Sequence, residues 1–489
     1  MLYAATEVNE WAITSASAEL AHEDPRETLE EARLRIATLL EEDARPALVA
    51  LEAAARASGV PIVWDDESVT RGMGPGAHTF GIGELPAPDD VEWRAIGRIP
   101  VVVVTGTNGK TTTARLLARM AKLAGHRVGS TSTDGIAIDE RIDVPGDWTG
   151  AEAARNVLRR HDVTFAVLET ARGGILRRGL AITGYDAAVV TNVSDDHLGE
   201  FGVLDVPAMA QTKAVVLRHL RPGGTAVLPI DDPLLAGIAA GLPVRRIGFA
   251  SDPPSVPASA SPSPLGEAVI AHGGAFVHLR RDGRRDVLLR VEEAPVTFGG
   301  AARHNVSNAL AATSLAVGMD LPRDAIVAAL RSFGSAPTDN PGRGERLTLA
   351  GGATALLDFG HNPAGLRDVY ALARSLVGRG GRILAVHTQA GDRSDADLEG
   401  LAAEIARGRP DRVFLGESEA LLRGRAAGSI SAVLRRALVA FGVPDASIAV
   451  TASIAAAAAA ARAEASAADL VLVAPFVMRD AVRDALGLS

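Results

Sequence analysis

The sequence predicts an α/β protein with a mostly parallel sheet, and three observations lead to this prediction. Short apolar runs that suit buried strands alternate with helix-like stretches from Ile99 onward. A glycine-containing turn joins the first of these runs, IPVVVV, directly to a helical pattern. The alternation starts again near Gly334, which indicates a second and smaller α/β unit.

These patterns divide the chain of 489 residues, which is too long for one hydrophobic core. The predicted domains are a short mixed N-terminal domain (1–97), a central P-loop domain with a mostly parallel sheet (98–333) and a smaller, Rossmann-like C-terminal α/β domain (334–489). In the first of them, amphipathic spacing over residues 29–57 predicts one or two helices. A short strand is predicted at 60–64 and a glycine-rich loop at 72–83.

The predicted strands of the two α/β domains are apolar runs bounded by turn residues. After the first strand, those of the central domain lie at residues 164–168, 187–191, 224–228 and 244–249. Those of the C-terminal domain lie at residues 354–359, 382–388, 412–415 and 470–474. Asp282 and Gly283 predict a hairpin turn, and the proline- and serine-rich segment 251–264 predicts a surface loop.

Composition narrows the classes of function. Hydrophobic residues make up 47% of the chain and charged residues 22%, as in ordinary globular proteins. The formal net charge of −9 argues against nucleic acid as a partner, because proteins that bind nucleic acid usually carry a basic excess. The absence of cysteine excludes disulfides, thiolate metal sites and cysteine nucleophiles. The sequence has no signal-peptide pattern and no apolar segment of membrane length, so we expect a cytoplasmic protein without a membrane partner.

The turn after the first strand has the pattern of a phosphate-binding loop. It consists of Gly106, Thr107, Asn108, Gly109, Lys110, Thr111 and Thr112. Such a turn directs backbone N–H groups and a helix N-terminus at one point, which suits the phosphates of ATP. Lys110 would offset charge on the outer phosphates, and Thr111 or Thr112 would present a hydroxyl to Mg²⁺. The general pattern has glycine at position 104, where this chain has Val104, and a glycine-rich turn with an incidental lysine is the alternative.

An acidic residue follows the next predicted strand of the central domain. The apolar run 164–168 ends at Glu169, and open parallel sheets bind ligands at the carboxyl ends of their strands. Glu169 is therefore predicted to hold Mg²⁺ opposite the phosphate loop, with a solvated loop residue as the alternative. Arg172, Arg177 and Arg178 follow closely. They predict an anion-binding group near the transferred phosphate or the carboxylate substrate, or else a solvated basic turn.

Several segments, taken in order, resemble the Mur ligase superfamily, which includes peptidoglycan peptide ligases and folylpolyglutamate synthetase. These segments are VTGTNGKTTT, LETARGGILRRGL, TNVSDDHLG, RHNVSN, PGRGE and LLDFGHNPAG. LETARGGILRRGL, together with the later GDRSD, is more similar to the C-terminal, Mur-ligase-like half of cyanophycin synthetase than to other members. The resemblance spans residues 98–489.

The resemblance implies roles for residues of the central domain. His197 becomes a candidate ligand of a second Mg²⁺. Lys213 stands where many members carry a lysine carbamylated by CO₂, which would bind magnesium, and an unmodified helix lysine is the alternative. Asn305 and Asn308 match the family's adenine-contacting HNxxN motif, and their spacing puts both amides on one helix face. Capping of that helix by Asn305 is also compatible with the pattern.

The resemblance also implies roles in the C-terminal domain. Arg343 is similar to the linker arginine that reaches the nucleotide phosphates when this domain closes. Asp358 would contact the nucleotide, and His361 and Asn362 would shape the rim of the active site. The residues expected to hold the incoming amine are Asp392, Arg393, Asp395, Arg423 and Arg425.

Together, the patterns and the resemblance predict an ATP-dependent ligase that activates a carboxylate as an acyl phosphate, joins it to an amine and releases ADP and phosphate. Lys110, Glu169, His197 and Arg343 form the predicted catalytic group, with ATP and Mg²⁺ as cofactors. The substrates would be a small-molecule or peptide carboxylate and an amine. The alternatives are a folylpolyglutamate or peptidoglycan-type ligase, and a non-catalytic ATP-binding partner subunit of another ligase.

The chain differs from cyanophycin synthetase in one respect, and this difference limits what the resemblance implies. Cyanophycin synthetase carries an ATP-grasp half before its Mur-like half, whereas residues 1–97 contain no ATP-grasp motif. We therefore expect one ligase site in this chain, which acts alone or beside a separate ATP-grasp-type ligase. A homo-oligomer is left open by the sequence.

Overall fold

The computed structural model describes residues 2–42, 44–196, 198–251 and 266–488. It divides into two compact units, one that ends at Arg98 and one that begins at Ile99. Apart from Ser251, the predicted proline- and serine-rich loop lies outside the described residues.

The first unit joins helices to a small antiparallel sheet. Its helices are α1 (Leu2–Ala21), α2 (Leu29–Glu42) and α3 (Pro46–Ala57). Its strands are β1 (Ile62–Trp64), β2 (Ser68–Arg71) and β3 (His78–Gly81), which pair antiparallel in that order. Leu48, Leu51, Val69 and Val91 form its hydrophobic core.

Predictions for this first unit were partly right. The helical pattern over 29–57 is confirmed as α2 and α3, and the strand at 60–64 is confirmed as β1. The prediction of a loop over 72–83 is wrong at its end, because β3 forms there by pairing with β2. The sequence did not predict α1, whose apolar residues are spread around the helix rather than along one face.

The second unit contains a large sheet in which parallel strands are flanked by antiparallel ones. Its strands are β4 (Val101–Thr105), β5 (Val128–Ser132), β6 (Gly135–Ile138), β7 (Arg141–Pro145), β8 (Phe165–Glu169), β9 (Tyr185–Val190), β10 (Leu220–Pro229), β11 (Arg245–Ala250), β12 (Ala268–His272), β13 (Ala275–Leu279) and β14 (Arg285–Arg290). Their order is β14-β13-β12-β11-β10-β9-β4-β8-β5-β6-β7. The strands from β12 to β5 in this order are parallel. The predicted mostly parallel sheet is therefore confirmed.

Helices cover this sheet because its central strands are apolar on both faces. They are α4 (Lys110–Leu123), α5 (Ala151–Leu158), α6 (Arg172–Arg178), α7 (Val206–Lys213), α8 (Val215–Arg218), α9 (Pro233–Ala240), α10 (Arg303–Gly318) and α11 (Arg323–Ser332). Leu116 and Leu117 of α4 pack in one core with Leu310 and Leu315 of α10. Each such buried leucine contributes roughly 1.5–3 kcal/mol.

A second sheet follows, also with helices on both faces. Its strands are β15 (Arg343–Thr348), β16 (Thr354–Asp358), β17 (Ile383–His387), β18 (Arg412–Leu415), β19 (Ile448–Val450) and β20 (Leu470–Val473), in the order β15-β16-β20-β17-β18-β19. Its helices are α12 (Pro363–Leu376), α13 (Asp395–Arg407), α14 (Ser429–Ala440), α15 (Ile454–Glu464) and α16 (Arg479–Leu486). Apart from the antiparallel pair β15–β16, its strands are parallel. Across the residues described, no helix has the length and apolarity needed to cross a membrane.

Every strand predicted in the two α/β stretches is present, with ends that shift by a few residues. The turn at Asp282 and Gly283 is confirmed between β13 and β14, where the Gly283 N–H donates to the Arg280 carbonyl at 3.0 Å. The strands β7 and β15 were not predicted. All residues of β7 are exposed and β15 begins with charged residues, so neither has the apolar signal of a buried strand.

Three adjacent strands determine where the site forms. β4 lies between β8 and β9, and all three run in the same direction. Their carboxyl ends therefore meet at one edge of the sheet, which is where ligands bind in such sheets. The loop that starts at Gly106 follows β4, Glu169 ends β8, and Thr191 follows β9.

Candidate functional site

The loop after β4 is held tightly by the residues that follow β9. The N–H of Thr107 donates to the Asn192 carbonyl at 3.0 Å, and the N–H of Asn108 donates to the Asn192 side-chain oxygen at 2.9 Å. The Thr191 hydroxyl donates to the Asn108 carbonyl at 2.6 Å. These bonds attach the loop to the residues that follow the neighbouring strand.

Glycine is required where the loop meets α10. Gly109 has a φ of +81°, and a Cβ at this position would lie 2.0 Å from the Asn308 side-chain oxygen. A larger residue would therefore be strained and would collide with Asn308. The absence of a side chain lets Asn308 approach the loop.

Lys110 begins α4, directly after the loop. Its Nζ donates to the carbonyls of Gly106 at 3.1 Å and Thr107 at 2.9 Å. Lys213 Nζ donates to the same Gly106 carbonyl at 2.9 Å. The Lys110 ammonium and the N-terminus of α4 thus make this edge of the sheet positive, as an anion-binding site requires.

Glu169 faces this positive region from the end of β8. Its residue is only 1% exposed, and both carboxylate oxygens are buried without a hydrogen-bond partner. Burial raises the pKa of Glu169, while the charge of Lys110 and the nearby Thr111 hydroxyl, which lies outside good hydrogen-bond geometry, oppose the rise. A buried carboxylate without a donor is unfavourable unless a cation pairs with it, so these oxygens fit a metal ion.

The protein offers few other ligands to a cation at Glu169. Among the described residues, no group of three or more His, Asp or Glu side chains could hold a metal by itself. Thr111 is buried beside the loop, and its hydroxyl lies 3.5 Å from that of Thr133, whereas the Thr112 hydroxyl accepts from Asn340 at 3.1 Å. His197 lies outside the described residues. This donor set suits Mg²⁺, which commonly takes water and phosphate oxygens as most of its ligands.

Arg343 and Asp358 face the loop from the second sheet, where they are paired across β15 and β16. Arg343 donates to the Thr133 hydroxyl at 3.1 Å, and its guanidinium carbon lies 4.3 Å from the centre of the Phe359 ring. Burial lowers the pKa of Arg343 to about 10. Burial also raises the pKa of Asp358 to about 6, and Arg343 opposes this change.

These groups line one cavity of about 420 Å³. Lys110, Glu169, Arg343 and Asp358 all contribute to its wall. The remaining predicted nucleotide-binding residues on this wall are Thr107, Asn108, Gly109, Thr111, Thr112, Asn305 and Asn308, while Gly106 lines the neighbouring cavity. The structure therefore brings together residues that are far apart in the sequence.

Asn305 and Asn308 lie on the same side of α10, as their spacing predicts. The Asn308 amide donates to the Asn305 side-chain oxygen at 3.1 Å, and the Asn305 amide donates to the Val296 carbonyl at 3.0 Å. Helix α10 begins at Arg303, with Ala302 in the cap position. The alternative that Asn305 caps this helix is therefore wrong.

Asn362 connects the second sheet to the loop. It caps α12 by accepting from the Gly365 N–H at 2.8 Å. Its amide also donates to the Asn108 side-chain oxygen at 2.9 Å, and the Asn108 amide donates back at 3.2 Å. This reciprocal pair joins the loop after β4 to the start of α12, beside the cavity.

A second cavity of about 840 Å³ adjoins the first. His361 lines both cavities, and its Nε2 lies 3.7 Å from an Asp196 carboxylate oxygen. The other predicted substrate residues on the wall of the second cavity are Arg172, Arg177, Asp392, Arg393 and Arg423. A ligand that enters here would meet several positive charges.

Several of the cavity arginines are paired with acidic residues. Arg172 forms an ion pair with Glu200, and Arg423 forms one with Asp392. Arg393 lies 3.7 Å from the other Asp196 carboxylate oxygen.

Four predicted substrate residues do not line either cavity: Asn362, described above, and Arg178, Asp395 and Arg425. The side chain of Arg178 is 66% exposed and pairs with Glu152 at 3.4 Å. Arg425 pairs with Asp395 at 2.7 Å and also donates to the Gly391 carbonyl, so both residues hold a loop together. The sequence could not show this, because neighbouring residues in a turn point in different directions.

Lys213 is deeply buried near the phosphate loop, with 4% of the residue exposed. Burial, assisted by the nearby charge of Lys110, lowers the pKa of Lys213 to about 7. Its amine is therefore neutral to a large extent near neutral pH. A neutral, buried amine beside a phosphate loop is unusual for an ordinary helix lysine.

A group of charges surrounds Asp134, the residue that follows Thr133, and no sequence motif indicates it. Asp134 pairs with Arg115 and with Arg479, each at 2.6 Å. Burial alone would raise the pKa of Asp134, but Arg343 and these two arginines hold it below its usual value. Because these residues come from separate parts of the chain, no local pattern could have identified the group.

Comparison with known proteins gives matches over most of the second unit. Residues 104–316 match the family model described as the Mur ligase middle domain, and residues 342–476 match the Mur ligase glutamate ligase domain. The cyanophycin synthetase of Synechocystis sp. is 39% identical over 345 residues, which cover 70% of this chain and 38% of that protein. The cyanophycin synthetase of Trichormus variabilis is 38% identical over 70% of this chain and 37% of its own length. The chain thus spans a little over a third of these relatives.

A solved structure shares the fold at lower sequence identity. A bifunctional folylpolyglutamate synthase/dihydrofolate synthase with Mn, AMPPNP and L-glutamate bound has a TM-score of 0.58 and 21% identity. The match covers 80% of this chain and 90% of that one. At this identity the likeness concerns the fold.

Proposed function

The chain belongs to the Mur ligase family, and we propose that it is an ATP-dependent carboxylate–amine ligase that releases ADP and phosphate. The observation that carries this proposal is the cavity in which Lys110, Glu169, Arg343 and Asp358 face one another. Positive groups there suit phosphates, and the buried carboxylate suits a magnesium ion. The adjoining cavity has room for two further substrates.

Phosphoryl transfer depends mainly on positioning and on charge stabilisation. Lys110 and Arg343 would offset the negative charge on the transferred phosphate, and Asp358 would contact the nucleotide. Glu169 and Thr111 would hold the cation, with His197 as a further candidate ligand. When bound, Mg²⁺ would reduce the charge on the phosphate oxygens.

The proposed reaction proceeds in two steps. A substrate carboxylate oxygen attacks the terminal phosphorus of ATP, the bond to the ADP oxygen breaks, and an acyl phosphate forms. The amine nitrogen then attacks the acyl carbon, phosphate leaves, and the phosphate takes up the proton that the nitrogen loses. Closure of the second sheet over the loop, which the Asn108–Asn362 pair would stabilise, would limit hydrolysis of the acyl phosphate.

The second cavity carries both basic and acidic side chains, which suits a carboxylate substrate and an amine that itself carries a charged group. We assign Arg172 and Arg177 to the acid, and His361, Arg393 and Arg423 to the amine. An amino acid or a short peptide has this chemistry. A separate ATP-grasp-type ligase partner, a homo-oligomer and a cytoplasmic location stay predictions.

Lys213 is proposed to react with CO₂ and to bind magnesium as a carbamate. The neutral amine forms an N–C bond with CO₂ and loses one proton. We expect isotopically labelled bicarbonate to give a carbamate NMR signal in the wild-type protein, and ADP release to fall in CO₂-depleted buffer. Lys213→Arg should lack the signal, whereas the exposed-site control Lys122→Arg should retain it. Full activity in the wild type without any carbamate signal would contradict this role.

The ligase proposal is tested with full-length protein, Mg-ATP, and a panel of carboxylates and amines. We expect release of ADP and phosphate only when a suitable acid and a suitable amine are both present. Formation of AMP and pyrophosphate would refute the acyl-phosphate route. Activity with folates or UDP-linked peptides would favour the folylpolyglutamate or peptidoglycan alternative. ATP binding without turnover, together with unchanged biological activity of a Lys110→Ala variant, would favour the non-catalytic subunit.

A further inference from the structure

Asp368 lies on the wall of the nucleotide cavity, although no sequence motif pointed to it. It belongs to α12, from which Ala364, Gly365 and Val369 also line the cavity. These positions lie on one face of the helix, as expected for spacings of three and four residues. Asp368 supplies the carboxylate of this face.

The ends of this helical face lie near two different parts of the cavity. A Cβ built on Gly365 would lie 3.8 Å from the side-chain oxygen of Asn108 in the phosphate loop. At the other end, the side chains of Leu372 and Asn305 both come within 4 Å of a Cβ built on Gly344, so this end of the face lies in the neighbourhood of Asn305. Asp368 is therefore about one helical turn from the phosphate end and one turn from the Asn305 end.

The order of groups in ATP matches the order of residues along this wall, which runs from the phosphate loop to Asn305. The ribose of ATP lies between the phosphates and the base, so a nucleotide whose phosphates contact the loop would bring the ribose to the middle of α12. The ribose has two hydroxyl groups that can donate hydrogen bonds. A carboxylate is a strong acceptor for a pair of hydroxyl groups, as in other nucleotide sites.

The carboxylate of Asp368 is available for such contacts. No hydrogen bond to it is found among the residues that the structure describes, and its nearest counter-charge is Arg367. Arg367 itself is bonded to Glu404 at 2.7 Å. Partial burial raises the pKa of Asp368 to about 6, because solvent does not fully compensate the charge.

Asp358, the other carboxylate on this wall, is already engaged. It accepts from the Gly360 N–H at 2.7 Å and lies close to Arg343. Its place is therefore at the phosphate side of the cavity, where the positive charges are. This leaves Asp368 as the carboxylate of α12 on this wall with no hydrogen bond among the described residues.

We propose that Asp368 accepts hydrogen bonds from the ribose hydroxyl groups of ATP and so selects ribonucleotides over deoxyribonucleotides. This inference rests on the proposed function, because it assumes that the cavity binds ATP. Asp368 would thus help to determine which nucleotide binds, independently of the contacts to the phosphates.

The test measures the affinity of full-length protein for ATP, 2′-deoxy-ATP and 3′-deoxy-ATP by calorimetry in the presence of Mg²⁺. The proteins are the wild type, Asp368→Ala, the isosteric Asp368→Asn, and Glu399→Ala as a control that removes an exposed carboxylate from α13. We expect the wild type and the control to bind at least one deoxynucleotide about tenfold to a hundredfold more weakly than ATP. The affinity of Asp368→Ala for ATP should fall to the affinity that the wild type has for that deoxynucleotide. This variant should also bind ATP and the deoxynucleotide equally well. Asp368→Asn should show a smaller preference than the wild type.

Two outcomes would overturn the inference while leaving the ligase proposal intact. One is a wild type that binds all three nucleotides equally, and the other is an Asp368→Ala variant that keeps the wild-type preference for ATP. A parallel titration of the same proteins with GTP tests a role at the base: loss of discrimination between ATP and GTP in Asp368→Ala, with the ribose preference unchanged, would also overturn the inference and assign Asp368 to the base. If the wild type bound no nucleotide, the proposed function would fail and this inference would fail with it.

Discussion

Replacing Lys110 by alanine is expected to reduce ADP release by about a hundredfold to a thousandfold, the range seen when one preorganised charge-stabilising group is removed. Lys110 begins α4 and lies against the loop carbonyls of Gly106 and Thr107. Its ammonium is therefore positioned to move onto phosphate oxygens when ATP binds. Steady-state release of ADP and phosphate, measured with saturating substrates, checks the effect.

Lys122 provides a matched control on the same helix. Its side chain is 42% exposed and pairs with Glu140 at 3.1 Å on the surface. Such a pair contributes only about 0–1 kcal/mol, so Lys122→Ala should retain wild-type rates. Equal activity of Lys110→Ala and Lys122→Ala would rule out the assigned role of the phosphate loop.

Replacing Glu169 by glutamine is expected to separate activity from stability. The amide keeps the size of the side chain but removes the charge that would hold Mg²⁺. We expect ADP release to fall by about a hundredfold or more, as for loss of a major electrostatic group. Titration with Mg²⁺ should show that the variant needs a higher concentration for its remaining activity.

The ligand-free Glu169→Gln protein should melt at a higher temperature than the wild type. The pKa of Glu169 is raised, so the folded state favours the protonated form. At pH values above its folded pKa, the charged carboxylate therefore destabilises the fold, and a neutral amide removes this cost. Below the unfolded pKa the two proteins should become equally stable.

In the presence of Mg-ATP, the wild type should melt at a higher temperature than Glu169→Gln, because only the wild type gains the full metal contact. Thermal unfolding with and without Mg-ATP measures both effects. The control is Glu152→Gln, which changes a 56% exposed carboxylate of α5 and should alter neither quantity. A Glu169→Gln variant that is less stable without ligand, yet fully active, would show that the carboxylate serves the fold and not a cation.

Local patterns in the sequence determined the strand–loop–helix around Gly109 and the position of Glu169 at a strand end. They also determined the mostly parallel sheet, because apolar runs of strand length that alternate with helices allow few other arrangements. The division of the second unit at residue 333 stays a prediction. These features could be predicted because each depends on residues close together in the chain.

Only the tertiary structure decided which distant side chains meet. It paired Asn108 with Asn362, brought Asp134 between Arg115 and Arg479, and put Asp368 on the wall of the cavity that Lys110 and Glu169 line. It also directed Arg178 and Arg425 away from the cavities in favour of nearby acidic partners. The sequence records hydrophobic periodicity and turn chemistry, whereas the direction of a polar side chain depends on the packing of elements that are hundreds of residues apart.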